Sequence, residues 1–330
     1  KLDKTSASIL RGKTVTLKAT VSPSDAGNKA VSWSSSDKKI ATVDSKGVVK
    51  GVAKGTATIT AKAKDGSGVK ATCKITVRQP VTKITLNKTS ASILRNKTIT
   101  LKATAGPSSA NDKSVAWTTS NKKVATVNSK GVVKGIAKGT ATITATARDG
   151  SKVKAACKIT VRQPVTKITL NKKSASILRN KTITLKATAG PSSANDKSVT
   201  WTTSNKKIAT VNSKGVVKGI AKGTATITAT AKDGSKVKAV CKITVKQPVT
   251  KLTINKTKLT VKKGKTATLK VTVAPSSAND KSLKWTTSNK NIATVTQKGV
   301  VKGIKKGTVT ITAAARDGSG KKVTCKVTVN

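Results

Sequence analysis

The chain of 330 residues carries 67 Lys and Arg against 11 acids, all of them Asp, for a formal net charge of +56. It has no His, Met, Phe or Tyr, and its aromatic residues are four Trp. Ser-His-Asp and Cys-His nucleophile systems and imidazole metal sites are thereby excluded, as is a row of rings on which nucleobases could stack. No segment approaches 18 consecutive apolar residues, so no helical membrane insertion is expected.

The sequence repeats. Trp33, Trp117, Trp201 and Trp285 share one spacing, and so do Cys73, Cys157, Cys241 and Cys325; the period is 84 residues. Residues 81–164 and 165–248 differ at six positions: Thr89/Lys173, Ala116/Thr200, Val124/Ile208, Arg148/Lys232, Ala156/Val240 and Arg162/Lys246. A period of 84 exceeds that of solenoid repeats and suits a small domain with its own modest core. The expected domains are 1–80, 81–164, 165–248 and 249–330, with Pro80, Pro164 and Pro248 at the joints. Short joints containing Pro predict domains held nearly end to end in an elongated rod.

Within a copy the apolar period is 2, and helical spacing is absent. In chain order through the second copy, Ile99, Leu101 and Ala103 alternate with Thr98, Thr100 and Lys102. Gly106 to Asp112 is a loop by its Gly, Pro, Ser and Asn content. Val115 and Trp117 then alternate with Ser114, Ala116 and Thr118. Thr140 to Ala147 places Ala141, Ile143, Ala145 and Ala147 on one face and Thr on the other. After Asp149-Gly150-Ser151, expected to form a tight hairpin turn, Val153, Ala155, Cys157, Ile159 and Val161 alternate with Lys152, Lys154, Ala156, Lys158 and Thr160. About seven short Thr-rich strands around one large ring predict an all-β protein of tandem immunoglobulin-like β-sandwiches.

The runs Val115-x-Trp117-x-x-Ser120, Val124-Ala125-Thr126-Val127, Gly131-Val-Val-Lys-Gly135, Gly139-Thr-Ala-Thr-Ile143-Thr-Ala145 and Ala156-Cys157-Lys-Ile-Thr-Val161 resemble the bacterial immunoglobulin-like domain group 2. That family occurs in intimin/invasin-type adhesins and many Gram-positive surface proteins. The resemblance recurs in all four copies and implies an extracellular spacer, stalk or adhesive module without catalytic residues or cofactor. The first copy starts late, because Lys1-Leu2-Asp3-Lys4 aligns with Thr85-Leu86-Asn87-Lys88, and a longer parent polypeptide is expected.

Other motifs carry little chemistry. The four Cys, one per copy among inward apolar positions, are expected to be buried thiols, and Trp33, Trp117, Trp201 and Trp285 core rings, with sugar stacking as the alternative. Gly264-Lys265-Thr266 lacks the Gly of a phosphate loop, since Leu259 stands there. Gly131, Gly135 and Gly139 are expected in turns and bulges. Ser120-Asn-Lys-Lys123 matches an acylase spacing by chance in a Ser- and Lys-rich chain. Asp112 and Asp149 are the only acids of their copy, too few for a calcium site at the joint.

Charge is the informative anomaly. The second copy has 13 Lys and 3 Arg against 2 Asp, a net of +14. Lys102, Lys152, Lys154 and Lys158 are expected on outward strand positions, and Lys122, Lys123, Lys130, Lys134 and Lys138 in loops. A single-signed surface gathers counterions, and their release gives salt-dependent, sequence-blind attraction to polyanions. Anionic cell-wall or host polysaccharide and extracellular DNA are the expected partners, without sequence-specific nucleic-acid binding. The expected role is a non-enzymatic rod at the bacterial cell surface or wall. The alternatives are a self-assembling fibre or surface-lattice subunit and an adhesin or virion surface module for glycans.

Overall fold

A computed structural model describes residues 1–330, which form strands and turns without any helix. The chain divides into two compact units, Lys1–Gln163 and Pro164–Asn330. Each unit carries two of the 84-residue copies.

The second copy shows the arrangement. Its main sheet has four strands in the order Val115–Thr119, Gly139–Ala147, Lys154–Arg162 and Ser90–Leu94. The first three run antiparallel, and Ser90–Leu94 joins Lys154–Arg162 in parallel. Opposite lies a sheet of Thr98–Thr100, Val132–Gly135 and Ala125–Val127. A two-stranded ribbon of Lys83–Leu86 and Ala103–Gly106 extends this layer. A complete copy thus has nine strands rather than about seven, and the run from Thr98 to Ala103 that periodicity reads as continuous is broken in two. Leu101 still continues the ladder, its N–H donating to Gly131 O, and the break falls at Lys102, whose N–H donates to Asn87 Oδ1 at 2.9 Å as the chain crosses to pair with Lys83–Leu86.

The two longest strands fix the core. In Gly139–Ala147, Ala141, Ile143, Ala145 and Ala147 are buried while Thr140 and Thr142 are exposed. In Lys154–Arg162, Cys157, Ile159 and Val161 are buried while Lys154 and Lys158 are exposed. Pairing puts Ile143 opposite Cys157 and Ala141 opposite Ile159, so one face of the hairpin is wholly apolar. Leu101, Ala125 and Val133 close over it from the other sheet. Full burial of an Ile or Leu side chain contributes about 1.5–3 kcal/mol. The fourth, first and third copies bury the equivalent residues in clusters of their own.

A core built from Ala, Val and Ile brings the two sheets close, and glycine is required where they meet. At Gly131, φ is +77°, and a Cβ would lie 2.4 Å from Leu101 O and 3.0 Å from the Trp117 ring. At Gly135 the backbone is ordinary, but a Cβ would lie 3.0 Å from Val161 Cγ1 and 3.2 Å from Leu94 O. The four-residue glycine rhythm is thus one of turn and close sheet contact. Gly131→Ala in the full chain should destabilise the second copy by about 2–4 kcal/mol, from left-handed strain plus overpacking. The control Gly12→Ala, at φ +80° with nothing within 4 Å of the added carbon, should cost only about 1 kcal/mol. Urea unfolding followed by Trp fluorescence measures both, and equal costs would refute the close-contact account.

Candidate interaction surface

All nine Lys singled out in the second copy are exposed: Lys102, Lys122, Lys123, Lys130, Lys134, Lys138, Lys152, Lys154 and Lys158. They do not converge. Lys154 and Lys158 lie on the outer face of the four-stranded sheet, in register with Thr146 and Thr142. Lys134 is a strand residue rather than a loop residue, and it lies between Thr98 and Thr126 on the opposite sheet. Lys122, Lys123, Lys130 and Lys138 occupy turns, whereas Lys152, expected on a strand, lies in the turn before it with φ +62°, and Lys102 lies in the gap between the strands ending at Thr100 and starting at Ala103. Positive charge therefore covers both faces of the sandwich as a coat.

The acids do other work. Nine of the eleven accept the backbone N–H two residues on at a turn, as Asp112 does from Ser114 at 2.8 Å and Asp44 from Lys46 at 2.9 Å, while Asp3 pairs with Lys4. Asp149 is buried and uses both carboxylate oxygens. Oδ1 accepts from Ser151 N–H at 2.9 Å, and Oδ2 accepts from Val81 N–H at 2.6 Å, 68 residues away. The turn is longer than a two-residue hairpin, closing from Ala147 N–H to Val153 O, and this length lets Asp149 face the linker. Asp233 holds Val165 and Asp317 holds Val249 with the same 2.6 Å contact. In the first copy the counterpart Asp65 is exposed, accepts from Ser67, and borders a cavity of about 370 Å³ lined by Val21, Val31, Ala61 and Val69.

The linker is clamped a second time. Gln79 N–H donates to Asn111 Oδ1 at 2.7 Å, and Asn111 N–H donates back to Gln79 O at 3.1 Å. Gln247 and Asn279 repeat the exchange in the second unit at 2.7 and 3.0 Å. Neither Asp149 nor Asn111 stood out from spacing alone. The available signal was an acid set 68 residues after each post-proline Val.

For Asp149 burial is the largest influence and favours the neutral acid, but hydrogen bonds from Ser151 and Val81 and the field of Arg78 outweigh it, and the carboxyl sits below its ordinary value. Asp233 and Asp317 are lowered in the same way by Ser235 with Val165 and by Ser319 with Val249. Burial pushes the Cys73, Cys157, Cys241 and Cys325 thiols up, and all four are free and fully enclosed. Such thiols are poor nucleophiles.

The indoles divide. Trp285 is 6% exposed and lies in its core cluster, whereas Trp33, Trp117 and Trp201 are half-buried and pack against theirs from the rim. Three of the four are thus rim rings rather than enclosed core rings. The backbone of the fourth is bound by the side chain of Gln297, a residue that spacing did not pick out. Gly264, Lys265 and Ser120 to Lys123 lie at turns and strand ends with no cleft gathered around them.

The bacterial Ig-like domain (group 2) model matches residues 1–75, 80–157, 164–241 and 248–327, and the chain belongs to that family. An uncharacterized protein of Clostridium acetobutylicum is 37% identical over 48% of this chain and 16% of its own length. An Ig-like virion protein of Serratia phage KSP90 is 35% identical over 46% of this chain and 59% of its own. A 3-O-alpha-D-galactosyl-alpha-L-arabinofuranosidase of Bifidobacterium longum subsp. longum is 46% identical over 22% of this chain and 6% of the enzyme. The chain thus spans less than two thirds of each relative. Among solved structures, invasin, a bacterial integrin-binding protein, aligns over 97% of this chain and 76% of its own at 17% identity and a TM-score of 0.35.

A carboxylate with a depressed folded pKa stabilises the fold fully above its ordinary range, near 3.9, and loses that contribution as pH falls through the folded value. With no His in the chain, the thermal midpoint should stay level between about pH 5 and 7 and drop below about pH 4. The Asp149→Asn, Asp233→Asn, Asp317→Asn variant should melt lower at pH 7 and show a shallower acid limb. Circular dichroism melts measure this, and an unchanged acid limb would remove the latch role.

Proposed function

We propose that the chain is a non-enzymatic stalk or spacer module of an extracellular or cell-surface protein, held to anionic polymers by its cationic coat. The observation that carries this reading is the distribution of charge. Nine exposed Lys cover both faces of the second sandwich, while its two acids are occupied by turn N–H groups. A coat of Lys without convergent geometry suits wall or capsular polysaccharide, host glycans or extracellular DNA through counterion release rather than shape.

Family membership supports a surface module, and the phage relative supports a virion surface as an alternative setting. The matches to glycosidases cover only small parts of those enzymes, 6% for the arabinofuranosidase, and supply no catalytic residue. Self-assembly into a fibre or lattice is the second reading, favoured by the open sheet edges described below.

Binding to heparin and to purified teichoic acid, followed by titration at increasing NaCl, tests the coat. Affinity should fall by on the order of 10³ or more between about 50 and 200 mM salt, with little difference between the two polymers. Failure to bind at low ionic strength would overturn the electrostatic reading. Affinity that persists at high salt for one polymer alone would replace it with specific adhesion.

A further inference from the structure

The fourth copy differs from the other three at one sheet edge. The strand Leu283–Thr287 is the outer strand of its four-stranded sheet. There Trp285 N–H donates to Gln297 Oε1 at 3.2 Å, and Gln297 Nε2 donates to Trp285 O at 3.1 Å. One side-chain amide thus exchanges both bonds with one strand residue, as a paired residue of a neighbouring antiparallel strand would. This edge also carries the charge of Lys284. Both are devices that blunt an edge against further pairing.

The other copies lack both. Ser45, Ser129 and Ser213 stand where Gln297 does, and Ser32, Ala116 and Thr200 where Lys284 does. In the third copy the edge strand is Val199-Thr-Trp-Thr-Thr203, uncharged and rich in β-formers. Ser204 N–H bonds to Thr226 O across the sheet, so alternation turns the N–H and C=O groups of Val199, Trp201 and Thr203 outward. They face a groove of about 540 Å³ lined by Trp201, Thr202, Thr203, Lys206, Thr210 and Val211. The second copy has the same edge in Val115–Thr119.

We propose that these edges are self-association sites, and that the occupant is the same strand of a second copy of this chain. The strand is self-complementary. A two-fold axis through Trp201 sets Trp201 against Trp201 and Val199 against Thr203, so every outward group meets a partner in a closed antiparallel pair. Lys197, Lys206 and Lys207 flank the edge and repel their counterparts, so the pairing forms when salt screens them. Salt therefore acts here with the opposite sign to polyanion binding, and either reading can fail alone. Two near-identical edges per chain also let association continue beyond a dimer.

Sedimentation velocity of the full chain in 50 mM to 1 M NaCl tests this. The wild type should be monomeric at 50 mM and form dimers and larger species as salt rises. Ser45→Gln, Ser129→Gln, Ser213→Gln, which copies Gln297 at exposed turn positions, should keep the chain monomeric throughout. Gln297→Ser with Lys284→Thr should strengthen association. Hydrogen exchange gives a second readout: the Trp201 amide should slow on association, whereas the Trp285 amide is protected in monomer and oligomer alike. A wild type that stays monomeric at 1 M NaCl, or a triple Gln variant that associates as the wild type does, overturns the proposal. So does a groove that takes an unrelated extended peptide or a glycan while the chain remains monomeric.

Discussion

The structure depends on the pairing of the two longest strands in each copy, eight or nine residues each, whose inward residues are all small or medium and apolar. Ile143 against Cys157 and Ala141 against Ile159 leave no room inward for a polar group or a large ring. Every Lys on these strands must therefore take the alternate positions, facing water. Close approach of the sheets over such a core is also why Gly131 and Gly135 tolerate no side chain. Charge and glycine placement both follow from core width.

The scarcity of acids acquires a physical sense in this frame. A chain at +56 with eleven acids could have used them as surface ion pairs, which contribute little in water. Asp3 is so used, toward Lys4, but most of the others satisfy backbone donors at turns. Asp149, Asp233 and Asp317 each serve a turn and a linker at once, and Asn111 and Asn279 complete the clamp. The result is a folded chain whose positive field is scarcely offset by its own carboxylates.

Fold was largely legible from sequence, because alternation such as Thr140 to Ala147 reports directly which face is buried. Strand count was less so. Leu101 looks like the middle of one long strand, and only the exchange between Lys102 and Asn87 shows where the chain changes partners. The exposed Lys were also legible, although Lys134, placed by pattern in a loop, lies on a strand. Residues acting across the joint or across the sheet edge were not. The partners of Asp149 and Gln297 are 68 and 12 residues away, and nothing in their immediate neighbours announces the pairing. Trp33, Trp117 and Trp201 were expected in the core because a single ring in a small sandwich suggests a centre, whereas these cores are already filled by Ile, Val and Ala and the rings are half-buried against them.

Core and coat are thus separable: one specifies the sandwich, and the other carries the charge on which the proposed polymer binding rests. The most direct measurement replaces Lys102, Lys122, Lys123, Lys130, Lys134, Lys138, Lys152, Lys154 and Lys158, with their equivalents in the other copies, by Gln. The far-ultraviolet circular dichroism spectrum and thermal midpoint of that variant are then compared with wild type. The account predicts an unchanged β-sheet spectrum and a midpoint equal or higher, since self-repulsion is relieved. Loss of the folded spectrum would contradict it, because the charges would then be part of what holds the sandwich together.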